Sequence, residues 1–169
     1  EAGVGERACV DTSSMLNLGE GLLVGSRSNF LFLVHNESLG SKFTSPRPFR
    51  VNAGSVSSYI LMPDGRTKYL SELEAGDQVL VVSNKEPPKV ATVGRVKIER
   101  RPLVLVKASV GEEVGSILLQ NAETIALVEE NGNIKPVTEL KRDDRILASV
   151  VKAGGRHFGA AVDEYILEK

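Results

Sequence analysis

One stretch of this chain is written twice. Gly65, Lys68, Leu70, Ser71, Glu72, Leu73, Asp77, Val79 and Leu80 return as Gly132, Lys135, Val137, Thr138, Glu139, Leu140, Asp144, Ile146 and Leu147, each pair 67 positions apart. Upstream, Asn52, Ala53, Ser55 and Val56 match Asn121, Ala122, Thr124 and Ile125 at a spacing of 69, so one copy carries an insertion. A period of this length exceeds that of solenoid repeats and falls short of an autonomous domain. It predicts an all-β fold: a duplicated β-barrel-like domain whose two related halves, over about residues 50–110 and 117–167, complete one core.

The shared core must be aliphatic. Apolar residues make up 41% of the 169, but aromatic residues only 5%, with no Trp. Val and Ile cluster in short runs bounded by Gly, Pro, Asn and Asp, which predicts strands over 7–11, 21–25, 30–35, 54–61, 78–82, 90–99, 103–109, 114–120, 124–128, 145–151 and 158–167. Pro63-Asp64-Gly65 and Asn131-Gly132-Asn133 supply hairpin turns. Few helical turns are expected: one over Leu70–Glu74 and one over Val137–Lys141, each followed by an Asp suited to accept backbone N–H groups before the next strand. Residues 1–46 read as an N-terminal arm, the remnant of an upstream domain, and 47–169 as the duplicated domain. The joint, Ser45-Pro46-Arg47-Pro48, is extended because a residue before proline avoids the helical region. A chain that opens at Glu1 without Met reads as a fragment or a processed product.

Charge and composition exclude several classes. A net charge of −1 and a pI of about 6.2 give no basic field for nucleic acid. The longest apolar run, Phe30–Val34, is far short of a membrane helix, so no membrane insertion is expected. The single cysteine, Cys9, rules out an internal disulfide framework, and two histidines with one cysteine supply no conventional zinc set. No glycine-rich dinucleotide turn and no Walker loop occurs. A nucleophilic Cys9 would need His35 or His157 as its base; the residue is read as a small buried hydrophobe.

Three clusters stand out. In Gly94-Arg95-Val96-Lys97-Ile98-Glu99-Arg100-Arg101-Pro102, a strand would place Arg95, Lys97 and Glu99 on one face: a solvated face, or a polar line aimed into a cleft. In Gly154-Gly155-Arg156-His157-Phe158-Gly159, flanking glycines permit close approach of a ligand to His157, or form an ordinary hairpin tip. In Arg47-Pro48-Phe49-Arg50-Val51-Asn52-Ala53-Gly54, two arginines near an Asn suit an anionic small molecule, or a surface ion-pair network. Gln120-Asn121 reads as a pair of buried amides pinning a strand crossing, with Asn52 at the matching place.

Taken together these segments resemble a known family. Gly5-Glu6-Arg7-Ala8-Cys9-Val10-Asp11-Thr12, Gly19-Glu20-Gly21-Leu22-Leu23-Val24-Gly25, Pro46 to Gly54, Thr67 to Leu73, Gly94 to Leu103, Leu118 to Thr124 and Gly155 to Gly159 run in the order of the archaeal-type (type II) 3-dehydroquinate synthase, over its C-terminal half. The resemblance implies an NAD-dependent enzyme of the shikimate route. Its small-molecule substrate, a seven-carbon amino-keto acid, loses its amine oxidatively and closes by aldol chemistry to 3-dehydroquinate. At family-matching positions, side-chain chemistry gives Arg47, Arg50, Asn52 and Arg156 to substrate binding. It gives Lys97, Glu99 and His157 to proton transfer. The missing N-terminal half is an expected partner. The location would be the cytoplasm in a prokaryote, or the plastid stroma in a plant or alga. The sequence departs from the family pattern at Ser57, where relatives carry His. That departure motivates the alternative reading, a non-catalytic homologue acting as a subunit or interaction module with other proteins.

Overall fold

The computed structural model describes residues 3–152 and 155–163. Thirteen strands occur among them: β1 (Gly3–Thr12), β2 (Gly21–Arg27), β3 (Phe30–His35), β4 (Arg50–Ser55), β5 (Tyr59–Leu61), β6 (Thr67–Tyr69), β7 (Gln78–Val81), β8 (Lys89–Val110), β9 (Glu113–Gln120), β10 (Ala126–Val128), β11 (Ile134–Pro136), β12 (Arg145–Lys152) and β13 (Gly155–Asp163). The helical pieces are two 3₁₀ turns, Leu70–Glu72 and Val137–Glu139. The fold is therefore all-β. The hydrogen-bonded path runs β4-β1-β8-β13-β12-β3-β2-β5-β6, with β10 on β3, β11 on β10, and β7 and β9 on β8.

Strand ends shift by a few residues, β6 and β11 are added, and two expected runs divide differently. The run expected over 54–61 is broken: β4 ends at Ser55, a turn intervenes, and β5 begins at Tyr59. The runs expected at 90–99 and 103–109 are one 22-residue strand, β8. Pro102 does not break it, because proline's missing N–H is tolerated where the ladder does not need that donor. Of the last expected strand, residues 164–167 lie outside the described residues.

The repeat is real, but smaller than expected. Each copy is a hairpin, a 3₁₀ turn and a strand, and several of their hydrogen bonds recur at matching positions. Leu70 N–H donates to Ser58 O at 2.8 Å, and Val137 N–H to Ile125 O at 2.7 Å. Asp77 Oδ2 accepts from Glu74 N–H at 2.9 Å, and Asp144 Oδ2 from Lys141 N–H at 2.8 Å. In each copy a lysine, Lys68 or Lys135, sits 3.7 Å from that aspartate. The strand order has two ends, β4 and β6, so the copies do not trace one closed ring among the described strands.

The expected N-terminal arm is not an appendage. β1 lies between β4 and β8. The β2–β3 hairpin is the platform on which both copies dock. In the first copy Ile60 pairs with Val24 and Val82 bridges Gly21, both of β2 or its edge. In the second, Leu127 pairs with Val34 and Ser149 with Leu31, both of β3. Residues of β3 are buried throughout because strands flank it on both edges and apolar layers cover both faces. A sequence repeat shows what is duplicated and says nothing of the unrepeated element that both copies share.

Candidate functional site

The polar face grows from β1. Its sequence alternates Arg7, Ala8, Cys9, Val10, Asp11, and a strand sends alternate side chains to opposite faces. Ala8 and Val10 enter the main core with Val51, Ala53 and Val96. Arg7, Cys9 and Asp11 face the other way, and the ladders on either side set them in three rows. Arg50, Asp11 and Arg95 form one row; Asn52, Cys9 and Lys97 the next; Ser55, Arg7 and Glu99 the third. Gly54 holds β4 in place. Its φ is +86°, and a Cβ there would sit 2.1 Å from the Leu118 carbonyl oxygen of β9.

The charges are paired with care, except for one. Asp11, 6% exposed, accepts from Arg50 Nε at 2.7 Å and Nη2 at 3.1 Å, and from Arg95 Nε at 3.0 Å and Nη2 at 2.8 Å. Burial pushes its carboxyl upward, and the hydrogen bonds from the two guanidiniums more than reverse that, leaving it below its ordinary value. Glu99 binds Arg7 at 2.6 Å, Arg101 at 3.0 Å and Lys97 at 3.5 Å. Desolvation works against its charge, but Arg101, Lys97 and Arg7 hold it below the usual glutamate value. Glu37, also 6% exposed, is different. Its backbone is tied to β4: its N–H donates to Arg50 O at 2.8 Å, and its carbonyl accepts from Arg47 N–H at 2.7 Å. No hydrogen bond or ion pair grips its carboxylate among the described residues. Burial raises its proton affinity, opposed by Arg50, Arg47 and Arg7 nearby.

Cys9 is fully buried, and burial pushes its thiol up to about 11 despite the Arg7 guanidinium, which donates to its sulfur. It is a neutral thiol at pH 7 and no nucleophile. His35 is no base for it either: Nε2 accepts the Gly19 N–H at 2.9 Å, which leaves Nδ1–H to donate to Asn36 O at 2.6 Å. Two buried polar atoms beside Cys9 have no partner, Arg7 Nε and Asn52 Oδ1; the Asn52 amide nitrogen donates to Gln120 Oε1 at 2.8 Å. Both atoms are shielded from solvent and take no hydrogen bond among the described residues, as is true of the Ser38 and Ser58 hydroxyls elsewhere.

The structure thus gathers Arg50, Asn52, Lys97 and Glu99 on one face, with Arg47 at its edge beside Glu37. It does not bring Arg156 and His157 there. Both lie on β13, where Arg156 donates to Ser149 Oγ at 3.1 Å and Ser28 O at 2.9 Å. Among the described residues β13 pairs with β8 at Ala108 and Ser109, about 36 Å along the strand from Lys97 at its usual rise. Their family-matching position is explained locally: Arg156 ties the β12–β13 hairpin to the β2–β3 turn. Arg50 is likewise committed, to Asp11. Sequence reasoning passed over Arg7 and Asp11 as site residues, although charges alternating with Ala8 and Val10 signal a two-faced strand. Glu37 has no such signal, since only the folded β3–β4 connection buries it.

The resemblance implies NAD, and the described residues do not fit it. A dinucleotide pyrophosphate is commonly held by free backbone N–H groups at a helix N-terminus or a glycine loop, or by free guanidiniums. Here the helical pieces are three-residue turns, each carrying an acidic residue, Glu72 or Glu139, and Arg50 and Arg95 are already held by Asp11.

An all-β domain with one charged, half-buried face, tied to the core by strands on both sides, is the class of protein these features define. The profile described as "3-dehydroquinate synthase II C-terminal domain" matches residues 1–169. The chain belongs to that family. It is 61% identical over 170 residues to a protein of Nitrosopumilus maritimus and 60% identical over 170 to one of Cenarchaeum symbiosum, covering 100% of this chain and 48% and 50% of those proteins. A relative from Korarchaeum cryptofilum is 55% identical over 169 residues, with 51% of its length covered. All three are named 3-dehydroquinate synthase. The chain spans about half the length of the curated relatives it matches. No solved structure matches.

Proposed function

We propose that the full-length protein is a type II 3-dehydroquinate synthase and that this chain supplies the polar wall of its substrate site. The reading rests on the family match over the whole chain, together with a charged face that leaves Arg7 Nε and Asn52 Oδ1 open. The overall reaction is an NAD-dependent oxidative deamination of a seven-carbon amino-keto acid, followed by intramolecular aldol closure. NAD would supply the hydride acceptor, and in this reading it would be held outside the described residues.

On this face Arg47 is the anchor for the substrate carboxylate, because it has no ion pair among the described residues while Arg50 and Arg95 are spent on Asp11. Asn52 Oδ1 accepts from a substrate hydroxyl or ammonium. Lys97, 46% exposed at its side chain, and the ungripped Glu37 carboxyl exchange protons with the substrate. Glu99 holds Arg7 and Lys97 in place instead of titrating. The test is the full-length protein with NAD and the amino-keto acid, followed by NADH and ammonia release. Turnover in wild type, and a loss of at least about tenfold in Lys97→Ala and Asn52→Ala, is the expected result. A folded, intact wild type that forms no NADH would overturn it and favour the non-catalytic subunit.

A further inference from the structure

β8 has a strand on one edge or the other along its length, but among the described residues its edge away from β1 is unpaired over one long stretch. On the edge away from β1, β7 takes Lys89–Thr92 and β9 takes Leu103–Val110. Between them, over residues 94–101, no strand pairs with that edge among the described residues. The gap is about 26 Å long at the usual rise of a strand.

The register tells which backbone groups face it. In β1, Thr12 N–H donates to Phe49 O and Glu6 O accepts from Val56 N–H, so its even residues face β4 and its odd ones β8. Arg95, Lys97, Glu99 and Arg101 pair with those odd residues. The N–H and C=O groups of Val96, Ile98 and Arg100 therefore point outward into the gap. Pro102, the next in that series, confirms the direction, since its carbonyl accepts from Asn121 N–H at 3.0 Å. Natural sheets shield such edges with charged side chains, proline or bulges. Here a bulge at Gly94 and Pro102 bound the stretch, charged side chains line it and Arg101 Nη1 donates to the Arg100 carbonyl at 2.7 Å, which leaves the Val96 and Ile98 backbone groups as the ones no strand takes among the described residues. On the core-side face, Ile98 is 44% exposed and Val4, opposite Pro102, is 60% exposed.

We propose that a strand from the upstream half of the full-length protein adds to β8 along residues 94–101 and fills the space between β7 and β9. This rests on family membership and not on the activity proposed above. The profile is that of a C-terminal domain and the relatives are about twice as long, so a segment of comparable size is covalently attached upstream. That segment enters beside the gap, because Gly3 pairs with Leu103 at its end, and attachment gives a high effective concentration. A second copy fits poorly. The edge is recessed between β7 and β9, and two recessed edges brought together would bring those flanking strands into collision. The added strand would also lie beside Lys97 and Glu99, closing the polar face.

Amide-resolved hydrogen exchange on the wild-type full-length protein tests this. The Val96, Ile98 and Arg100 amides are expected to exchange within about tenfold of the neighbouring amides bonded to β1, at every protein concentration. Exchange about a hundredfold faster than those neighbours would show a bare edge and overturn the proposal. Protection that rises with protein concentration would show a second copy there and overturn it equally. Neither outcome depends on whether the protein turns over the amino-keto acid.

Discussion

The repeat and the polar face both carry lysines, arginines and carboxylates, and they use them differently. In the repeat, Asp77 and Asp144 each accept one N–H from three residues before and face one lysine at 3.7 Å, close to solvent. Surface pairs of this kind are worth about 0–1 kcal/mol, and the turn alone accounts for the aspartate. On the polar face the charges occur once in the chain; Arg7, Asp11 and Arg50 are buried and find partners 39 to 92 residues away, while Lys97 and Arg101 pair locally with Glu99. Charge that recurs with the architecture belongs to the architecture. Charge that occurs once, and must be desolvated to be where it is, calls for a further reason.

Removing Asp11 is the sharpest way to break this contrast. Asp11→Asn leaves the buried Arg50 guanidinium facing a neutral group, and breaking one side of a buried pair costs about 3–5 kcal/mol. Urea unfolding at pH 7 measures it. Because the Asp11 carboxyl is depressed in the folded state, its contribution is fully present above its unfolded value of 3.8 and is lost as pH falls through the lower folded value. The gap between wild type and variant should therefore hold from pH 7 down to about 4 and close only below that. A loss under about 1 kcal/mol at pH 7 would put Asp11 in the same class as Asp77.

Glu37→Gln should behave oppositely. A carboxyl raised by burial binds its proton more tightly folded than unfolded, so it penalises the fold as pH rises from its unfolded value of 4.5 through the higher folded one. Glutamine keeps the shape without the charge. The variant should match wild type at pH 4 and be as stable or more stable at pH 8, by up to about 1 kcal/mol, while losing turnover. A variant less stable at pH 8 than at pH 4, relative to wild type, would show that Arg47 and Arg50 need the Glu37 charge.

The difference between the two regions also explains what could be read in advance. The hairpins, the 3₁₀ turns and the capping aspartates were legible because each is set by residues within about ten positions, and the duplication states the pattern twice. The face was legible in part: Arg95, Lys97 and Glu99 alternate with Val96 and Ile98, and Arg50 and Asn52 alternate with Val51. What joins these strands is β1, whose place between β4 and β8 is a long-range pairing that no local pattern encodes. The same limit misplaced residues 1–46 as an arm and drew His157 into a site it does not reach. Glu37 was invisible because its burial depends on how the chain from β3 returns to β4.

The smallest expected effect tests the repeat from inside. The turn before the last strand of each copy needs a left-handed residue. The first copy has Gly76 at φ +96°, and the second has Asp143 at φ +75°, the one non-glycine residue in that region of the map among the described residues. A side chain there costs about 1–2 kcal/mol for most residues and less for aspartate, whereas glycine loses more chain entropy on folding. A Cβ on Gly76 would meet nothing within 4 Å, so the effect is conformational and not steric. Asp143→Gly should therefore stabilise by about 0.5–1 kcal/mol and Gly76→Asp should destabilise by about as much, both read from urea unfolding. Equal and opposite changes would mean that the two turns are interchangeable. A destabilised Asp143→Gly would mean that the second turn uses its carboxylate. The cleft it lines with Glu129, Glu130 and Arg145 would then be the place where the copies have diverged.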